Sequence, residues 1–214
     1  MEWIKEVINF ILHIDRYITL LIEQFGQWSY FFLFLIVFCE TGLVVTPFLP
    51  GDSLLFAIGA FASKGDFKIE FIAPILVFAA LIGDNVNYFV GKKLGSALFT
   101  KEKSRFFNKA YLDKTHIFYE KHGAKTVIIA RFVPIVRTFA PFVAGIGAME
   151  YKKFMIFSVL GALLWVTLFL GAGYLFGNIS FVQKNFTLVI LIIIILSILP
   201  GIYELIKAKR MQKA

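Results

Sequence analysis

The sequence has few charged residues. Asp, Glu, Lys and Arg make up 17% of its 214 residues, whereas 59% are hydrophobic. A soluble domain carries about 25% charged residues, so this composition predicts an integral membrane protein. Long polar stretches are also lacking, and we therefore expect one membrane domain over residues 1–214 rather than a membrane anchor joined to a soluble domain.

Cysteine is almost absent. Cys39 stands alone, which excludes an intrachain disulfide, and its apolar surroundings are typical of a small core residue. The first ten residues lack the basic start and small-residue cleavage site of a secretory signal, so we expect no cleaved leader. A net charge of +8 is typical here of cytoplasmic loops that contact anionic lipid, and nucleic-acid binding is not expected.

Sequence motifs of catalysis are missing as well. The chain contains no serine nucleophile elbow, no His-Glu-x-x-His and no phosphate-binding Gly-x-x-x-x-Gly-Lys loop. His13, His116 and His122 lack metal-ligand spacing and are interpreted as interfacial. We therefore expect neither an enzyme, nor a cofactor, nor a metal ion.

Three apolar segments predict transmembrane helices, at 71–91, 154–176 and 186–206, since about 20 apolar residues span a bilayer. Residues 92–125 hold nine Lys and Arg against three acids, and residues 204–214 hold four against one. The positive-inside rule places both on the cytoplasmic side, including the C-terminus.

Two further apolar segments are predicted to be re-entrant hairpins, at 28–62 and 126–149. Residues 92–125 are strongly basic and residues 177–185 are nearly neutral, so an odd number of crossings should separate them. Two apolar segments lie between them, 126–149 and 154–176, so one of the two should not cross the membrane. The segment 126–149 is the candidate because prolines break it. Irregular backbone at membrane depth is tolerated where protein or a wet cavity encloses it.

The order of hairpin and span occurs twice. Each hairpin ends in a related run, F56-A-I-G-A60 and F142-V-A-G-I146, and each following span closes in a Gly-x-x-x-Gly pair. The fold class predicted is an all-α polytopic membrane protein built as an inverted repeat with two opposed re-entrant hairpins. Amphipathic interfacial helices are expected at 3–25 and 101–122, although a tilted span remains open for the first.

Four charged residues stand in these apolar segments, namely Glu40, Asp52, Arg131 and Arg137. Each would cost about 2.5–3.5 kcal/mol at the centre of a membrane helix. We therefore expect them to face one another, water or a substrate.

The second hairpin has the composition of a phosphate site. Pro134 separates Arg131 from Arg137, and a helix restart after Thr138 or Pro141 would expose amides that favour anions. Arginine binds phosphate oxygens through paired hydrogen bonds, so Arg131, Arg137 and Thr138 are the candidate headgroup ligands. The alternative is that each arginine pairs with an acid and only holds the hairpins together.

The first hairpin supplies candidate coupling acids. Glu40 and Asp52 flank its predicted break, formed by Pro47, Pro50 and Gly51, and buried carboxylates of this kind can exchange protons during transport. Asp52 also has the position of a helix N-cap. In the first span Asp84, Asn85 and Asn87 are interpreted as secondary polar residues that hydrogen-bond between helices.

Four stretches resemble the bacterial DedA family, part of the wider group of SNARE-associated Golgi protein (VTT) domains. They are E40-T-G-L-V-V-T-P-F-L-P-G-D-S-L-L-F56, G83-D-N-V-N-Y88, Y111-L-D-K-T-H-I-F-Y-E-K-H-G123 and R131-F-V-P-I-V-R-T-F-A-P-F-V-A-G145. The likeness covers about residues 3 to 203. The family's functional acidic and basic positions match Glu40, Asp52, Arg131 and Arg137.

The resemblance implies a lipid transporter of the bacterial inner membrane. Undecaprenyl phosphate is the expected substrate, with membrane lipids and protons as partners, and the oligomeric state is left open. Alternatives are a phospholipid flippase or scramblase, for example for phosphatidylethanolamine, and a proton-coupled ion or small-solute antiporter. A non-transporting scaffold is a third class.

Overall fold

The computed structural model of the chain describes residues 14–43, 51–99, 125–147 and 149–211. Some predicted features lie outside these residues: Pro47, Pro50, the three histidines, the start of the 3–25 helix and the interfacial helix at 101–122.

The described residues form helices, and no strand occurs among them, which confirms the all-α prediction. The α-helices are α1 Ile14–Phe25, α2 Ser29–Gly42, α3 Gly51–Lys64, α4 Ile69–Phe99, α5 Lys125–Ala130, α6 Pro134–Ile146, α7 Tyr151–Phe176, α8 Ser180–Lys184 and α9 Phe186–Met211. A short 3-10 turn, Gly26–Trp28, joins α1 to α2.

Three helical stretches in the described part of the chain are long and apolar enough to cross a bilayer. They are Ile14–Gly42, Ile69–Leu94 and Tyr151–Phe176. The second and third contain the predicted spans 71–91 and 154–176. The predicted span 186–206 falls within α9, Phe186–Met211.

Helix α4 shows how the sequence sorts its side chains in such a helix. Buried residues recur every three or four positions along it and include small and polar ones, whereas large apolar residues occupy the exposed side. The buried residues include Leu76, Ala80, Asp84, Asn87 and Tyr88, and the exposed ones Phe78, Ile82, Val86, Phe89 and Val90. A helix with this pattern turns its apolar face to lipid and its polar face to protein.

The chain forms two compact units by its internal contacts. The first unit contains the described residues up to 36, together with 51–76 and 165–211. The second unit contains 37–43 and the described residues from 77 to 164. Helices α2, α4 and α7 each pass from one unit into the other.

Close helix contact in the first unit depends on glycine. A Cβ on Gly59 of α3 would lie 2.8 Å from the Tyr174 nitrogen and closer still to the Leu170 oxygen, both in α7. In return, a Cβ on Gly173 of α7 would meet the Phe56 oxygen of α3. The two backbones therefore touch at a pair of glycines, as small residues allow in membrane helices.

The second unit repeats this contact with other helices. A Cβ on Gly145 of α6 would lie 2.8 Å from the Lys92 nitrogen and closer still to the Tyr88 oxygen, both in α4. A Cβ on Gly91 of α4 would meet the Phe142 oxygen of α6. The offsets match those of the first unit: Gly145, like Gly59, meets the carbonyl three residues before and the amide one residue after its partner glycine, and Gly91, like Gly173, meets the carbonyl three residues before its partner.

The segment predicted as the second hairpin is broken near its start. Helix α5 ends at Ala130, a turn covers Arg131 to Val133, and α6 begins at Pro134. Helices α5 and α6 contact each other. The prediction that the helix restarts after Thr138 or Pro141 is wrong, because Pro134 occupies the first turn of α6, where proline is favoured, and Val133 before it is extended. Pro141 lies inside α6.

Candidate functional site

Two ion pairs are buried in the second unit. Arg131 Nη2 donates to Asp84 Oδ2, and Arg137 Nη2 donates to Glu40 Oε1. None of the four residues is more than 4% exposed. Two positive and two negative formal charges cancel, which is the condition under which charged side chains are tolerated at such depth.

A glycine contact brings the end of α2 next to α4. A Cβ on Gly83 would lie 2.8 Å from the Gly42 nitrogen and closer still to the Thr41 hydroxyl. Gly83 directly precedes Asp84, and Gly42 lies two residues after Glu40. The lack of side chains at both glycines therefore lets the two acid-bearing segments approach.

Arg131 is held at the break between α5 and α6. Its amide bonds to the Ile128 oxygen at 3.2 Å, a turn of the kind that ends a helix. Gly161 of α7 leaves room for its side chain, because a Cβ there would lie 3.3 Å from Arg131 Nε. The buried Ser158, one turn earlier in α7, donates its hydroxyl to the same Asp84 oxygen that Arg131 contacts.

Arg137 lies in the first turn of α6. Its amide bonds to the Val133 oxygen at 2.8 Å, so the helix start fixes its backbone. Thr138 follows it and is 1% exposed. The three predicted headgroup residues Arg131, Arg137 and Thr138 thus lie around one helix break, together with Glu40 and Asp84.

Asp52 belongs to the first unit. It lies in the first turn of α3, where the helix dipole favours a negative group, and is 5% exposed. Its Oδ1 accepts a hydrogen bond from Trp165 Nε1 of α7 at 2.7 Å. Gly51 is the first residue of α3.

Trp165→Phe should therefore destabilise the first unit. The change removes a buried donor to Asp52, and a hydrogen bond to a charged group contributes about 1.5–3 kcal/mol. We expect a loss of that size in the free energy of unfolding, measured by denaturant titration in detergent. Trp28→Phe is the matched control because Trp28 is 70% exposed. Equal stability of the two variants would contradict the assignment.

The three polar residues of α4 differ in their contacts. Asp84 belongs to an ion pair, and Asn87 donates to the main-chain carbonyl oxygens of Thr41 and Thr138. Asn85 instead lies toward Met155 and Tyr151, whose hydroxyl donates to its Oδ1 at 2.8 Å. Sequence reasoning gave Asp84 only a secondary role.

Sequence reasoning also missed two hydroxyl- and indole-bearing residues of α7, Ser158 and Trp165. Both are 0% exposed in an apolar helix. Trp165 follows Ser158 by seven residues, a spacing that returns to the same helix face, and this is the signal that could have revealed them. Within the described ranges, no group of three or more His, Cys, Asp and Glu side chains could hold a metal ion.

Helices that expose apolar side chains over most of their length and bury paired charges define a class, the polytopic α-helical membrane proteins. Within this class, the chain contains a VTT domain, whose model matches residues 49–175, and it belongs to the DedA family, because a relative named Protein DedA is 57% identical over 98% of the chain. The predicted family and membrane location are thereby confirmed.

Relatives extend the match over nearly the whole chain. Protein DedA of Escherichia coli is 57% identical over 212 residues, which cover 98% of this chain and 97% of that protein. An uncharacterized membrane protein of Mycobacterium tuberculosis is 45% identical over 187 residues, covering 85% and 79%. Inner membrane protein YqjA of Escherichia coli is 35% identical over 149 residues, covering 70% and 68%. No solved structure matches the chain.

Proposed function

We propose that this protein moves lipids with a phosphate headgroup across the bacterial inner membrane, with undecaprenyl phosphate as the substrate. The observation that supports this most is the pair of buried arginines around one helix break, each held by a carboxylate. A guanidinium presents five N–H donors in a plane that matches phosphate as well as carboxylate. A lipid phosphate can therefore take the place of the carboxylates.

The carboxylates have a defined part in this mechanism. Without lipid, Glu40 and Asp84 neutralise the arginines, which avoids the large cost of an isolated buried charge. When a headgroup enters, its oxygens replace the carboxylate oxygens at Arg137 and Arg131. Protonation of the released acids keeps the site near neutrality, which couples the exchange to protons. Asp84 is thus the second acid of this mechanism, beside Glu40. Asp52 belongs to the first unit, where it accepts a hydrogen bond from Trp165.

The proposed architecture is an inverted repeat of two re-entrant hairpins. Helix α6 has 13 residues, so it reaches about 20 Å at 1.5 Å per residue, less than the hydrocarbon thickness of about 30 Å. The matching glycine contacts, α3 with α7 and α6 with α4, support a repeat of hairpin and span. The charge bias of the loops supports opposite entry faces and a cytoplasmic C-terminus.

Transport by proteoliposomes tests the proposal. We expect purified wild-type protein to move polyprenyl phosphate between leaflets, and Arg131→Ala and Arg137→Ala to lower the rate about tenfold or more, since each removes charge-assisted hydrogen bonds. Arg137→Lys should lose most of this rate too, because an ammonium cannot bind two oxygens in parallel. Arg16→Ala is the matched control, as Arg16 is exposed on α1. Arginine variants as fast as wild type would end the headgroup role.

The alternatives give different results in the same vesicles. A phospholipid scramblase would move labelled phosphatidylethanolamine at equal or greater rate than polyprenyl phosphate. An ion or small-solute antiporter would carry flux in vesicles that contain no polyprenyl phosphate. A scaffold would show no transport, and Arg137→Lys would be silent in cells.

A further inference from the structure

Asn87 connects two segments of the second unit through a single amide group. Its Nδ2 donates to the Thr41 oxygen at 2.6 Å and to the Thr138 oxygen at 3.3 Å. The residue is 1% exposed and lies one turn after Asp84 on the same face of α4. An amide nitrogen carries two hydrogens, so one group serves both carbonyls.

The two carbonyls stand next to one of the ion pairs. Thr41 follows Glu40, and Thr138 follows Arg137. Asn87 therefore hydrogen-bonds to the main chain one residue after each member of the ion pair. The Glu40–Arg137 pair joins residues 97 positions apart in the chain. Its side chains can meet because the backbones that carry them are both fastened to α4.

We propose that Asn87 is a positioning residue that sets the separation of Glu40 and Arg137 and thereby the fit of a headgroup at Arg137. This inference rests on the proposed function. During the exchange of carboxylate for phosphate, the side chain of Arg137 changes its partner, whereas the two hydrogen bonds from Asn87 to the main chain stay. Asn87 thus keeps Arg137 in one place in both states, which is what a preorganised anion site requires.

The side chain at this position needs a donor and a fixed length. Aspartate would turn carboxylate oxygens toward two carbonyl oxygens, leucine would remove both hydrogen bonds, and glutamine would place the amide one methylene farther from α4. Misplacing a reacting group by about 1 Å can lower a rate by about 100-fold. A loss of about tenfold is therefore expected for a change that loosens the site without removing the arginine.

Asn87→Leu in polyprenyl phosphate proteoliposomes is the test, with Asn85→Leu as its matched control. Asn85 is a neighbouring asparagine on the same helix that hydrogen-bonds to Leu81, Met155 and Tyr151, away from both ion pairs. We expect transport by Asn87→Leu about tenfold below that of Asn85→Leu. Equal transport by the two variants would overturn the proposal. Should Asn87→Leu not fold, Asn87→Gln keeps the amide and displaces it, and normal transport by a folded Asn87→Gln would overturn the proposal equally.

A double-mutant cycle with Glu40→Gln separates positioning from general support. If Asn87 acts through the Glu40–Arg137 pair, adding Asn87→Leu to Glu40→Gln should lower transport less than about twofold further, whereas independent effects would multiply. The same cycle measured on the equilibrium constant of unfolding requires no lipid. It therefore tests the coupling of Asn87 to Glu40 even if wild-type protein moves no polyprenyl phosphate, an outcome that would refute the proposed function alone.

Discussion

Asp84→Ala is expected to lower the free energy of unfolding by about 3–5 kcal/mol, because it removes the carboxylate from a buried ion pair and leaves the guanidinium of Arg131 in place. Arg131 and Asp84 are 3% and 1% exposed, so little water reaches either group to compensate. Ser158 loses its acceptor in the same change. The loss should appear in denaturant titrations of the purified protein in detergent.

Two comparisons make this expectation specific. Asp66→Ala is the matched control, since Asp66 is exposed in the turn before α4, and surface changes stay within about 0.5 kcal/mol. The double variant Asp84→Ala with Arg131→Met should lose less than Asp84→Ala alone, because both charges are then gone. A single variant as stable as Asp66→Ala, or a double variant less stable than the single, would refute the role of Asp84 as the partner of Arg131.

Replacing glycine by alanine should change the free energy of unfolding in opposite directions at two positions of α7. Gly173→Ala places a methyl group against the Phe56 oxygen, a backbone atom that cannot turn aside, so the helices must separate. Overpacking of this kind costs about 1–3 kcal/mol. At Gly171 a Cβ meets nothing within 4 Å, and Gly171→Ala should stabilise the helix by up to about 1 kcal/mol through its better helix propensity.

The equivalent contact in the second unit provides an independent check. Gly145→Ala meets the Tyr88 oxygen as Gly59→Ala meets the Leu170 oxygen, and we expect similar losses for both. Measuring all four single variants by unfolding in one detergent compares the two units directly. Neutral Gly173→Ala and Gly145→Ala variants would contradict the close helix contacts, and a destabilised Gly171→Ala would contradict the open space at that position.

Elements and family were within reach of sequence reasoning. Long apolar runs predict the helices at 71–91 and 154–176 because a membrane helix must satisfy its backbone hydrogen bonds internally. The long motifs around Glu40 and Arg131 indicate the DedA family, and the VTT domain match agrees. The interval from 126 to 149 is predicted as broken, and the break lies at Arg131 to Val133.

The ion pairs and long-range hydrogen bonds could not be predicted, because a single sequence does not tell which charged or polar residues meet. Arg131 and Asp84 are 47 positions apart, and nothing in either segment marks the other as its partner. The bond from Trp165 to Asp52 joins residues 113 positions apart in the same way. The predicted start of α6 is wrong because Pro134, Thr138 and Pro141 are all possible helix starts within one short segment. The preference of proline for the first turn of a helix decides the start at Pro134.

The cancelling charges of Glu40, Asp84, Arg131 and Arg137 have an electrical consequence. When a group with no net charge moves as a whole, it exchanges no net work with the membrane potential, which otherwise acts with about 2.3 kcal/mol per elementary charge per 100 mV. The resting protein should therefore be indifferent to voltage at this site. If a lipid phosphate crosses together with as many protons as it has negative charges, an imposed potential should not change the transport rate. If the phosphate crosses alone, the potential should accelerate transport in one direction and slow it in the other.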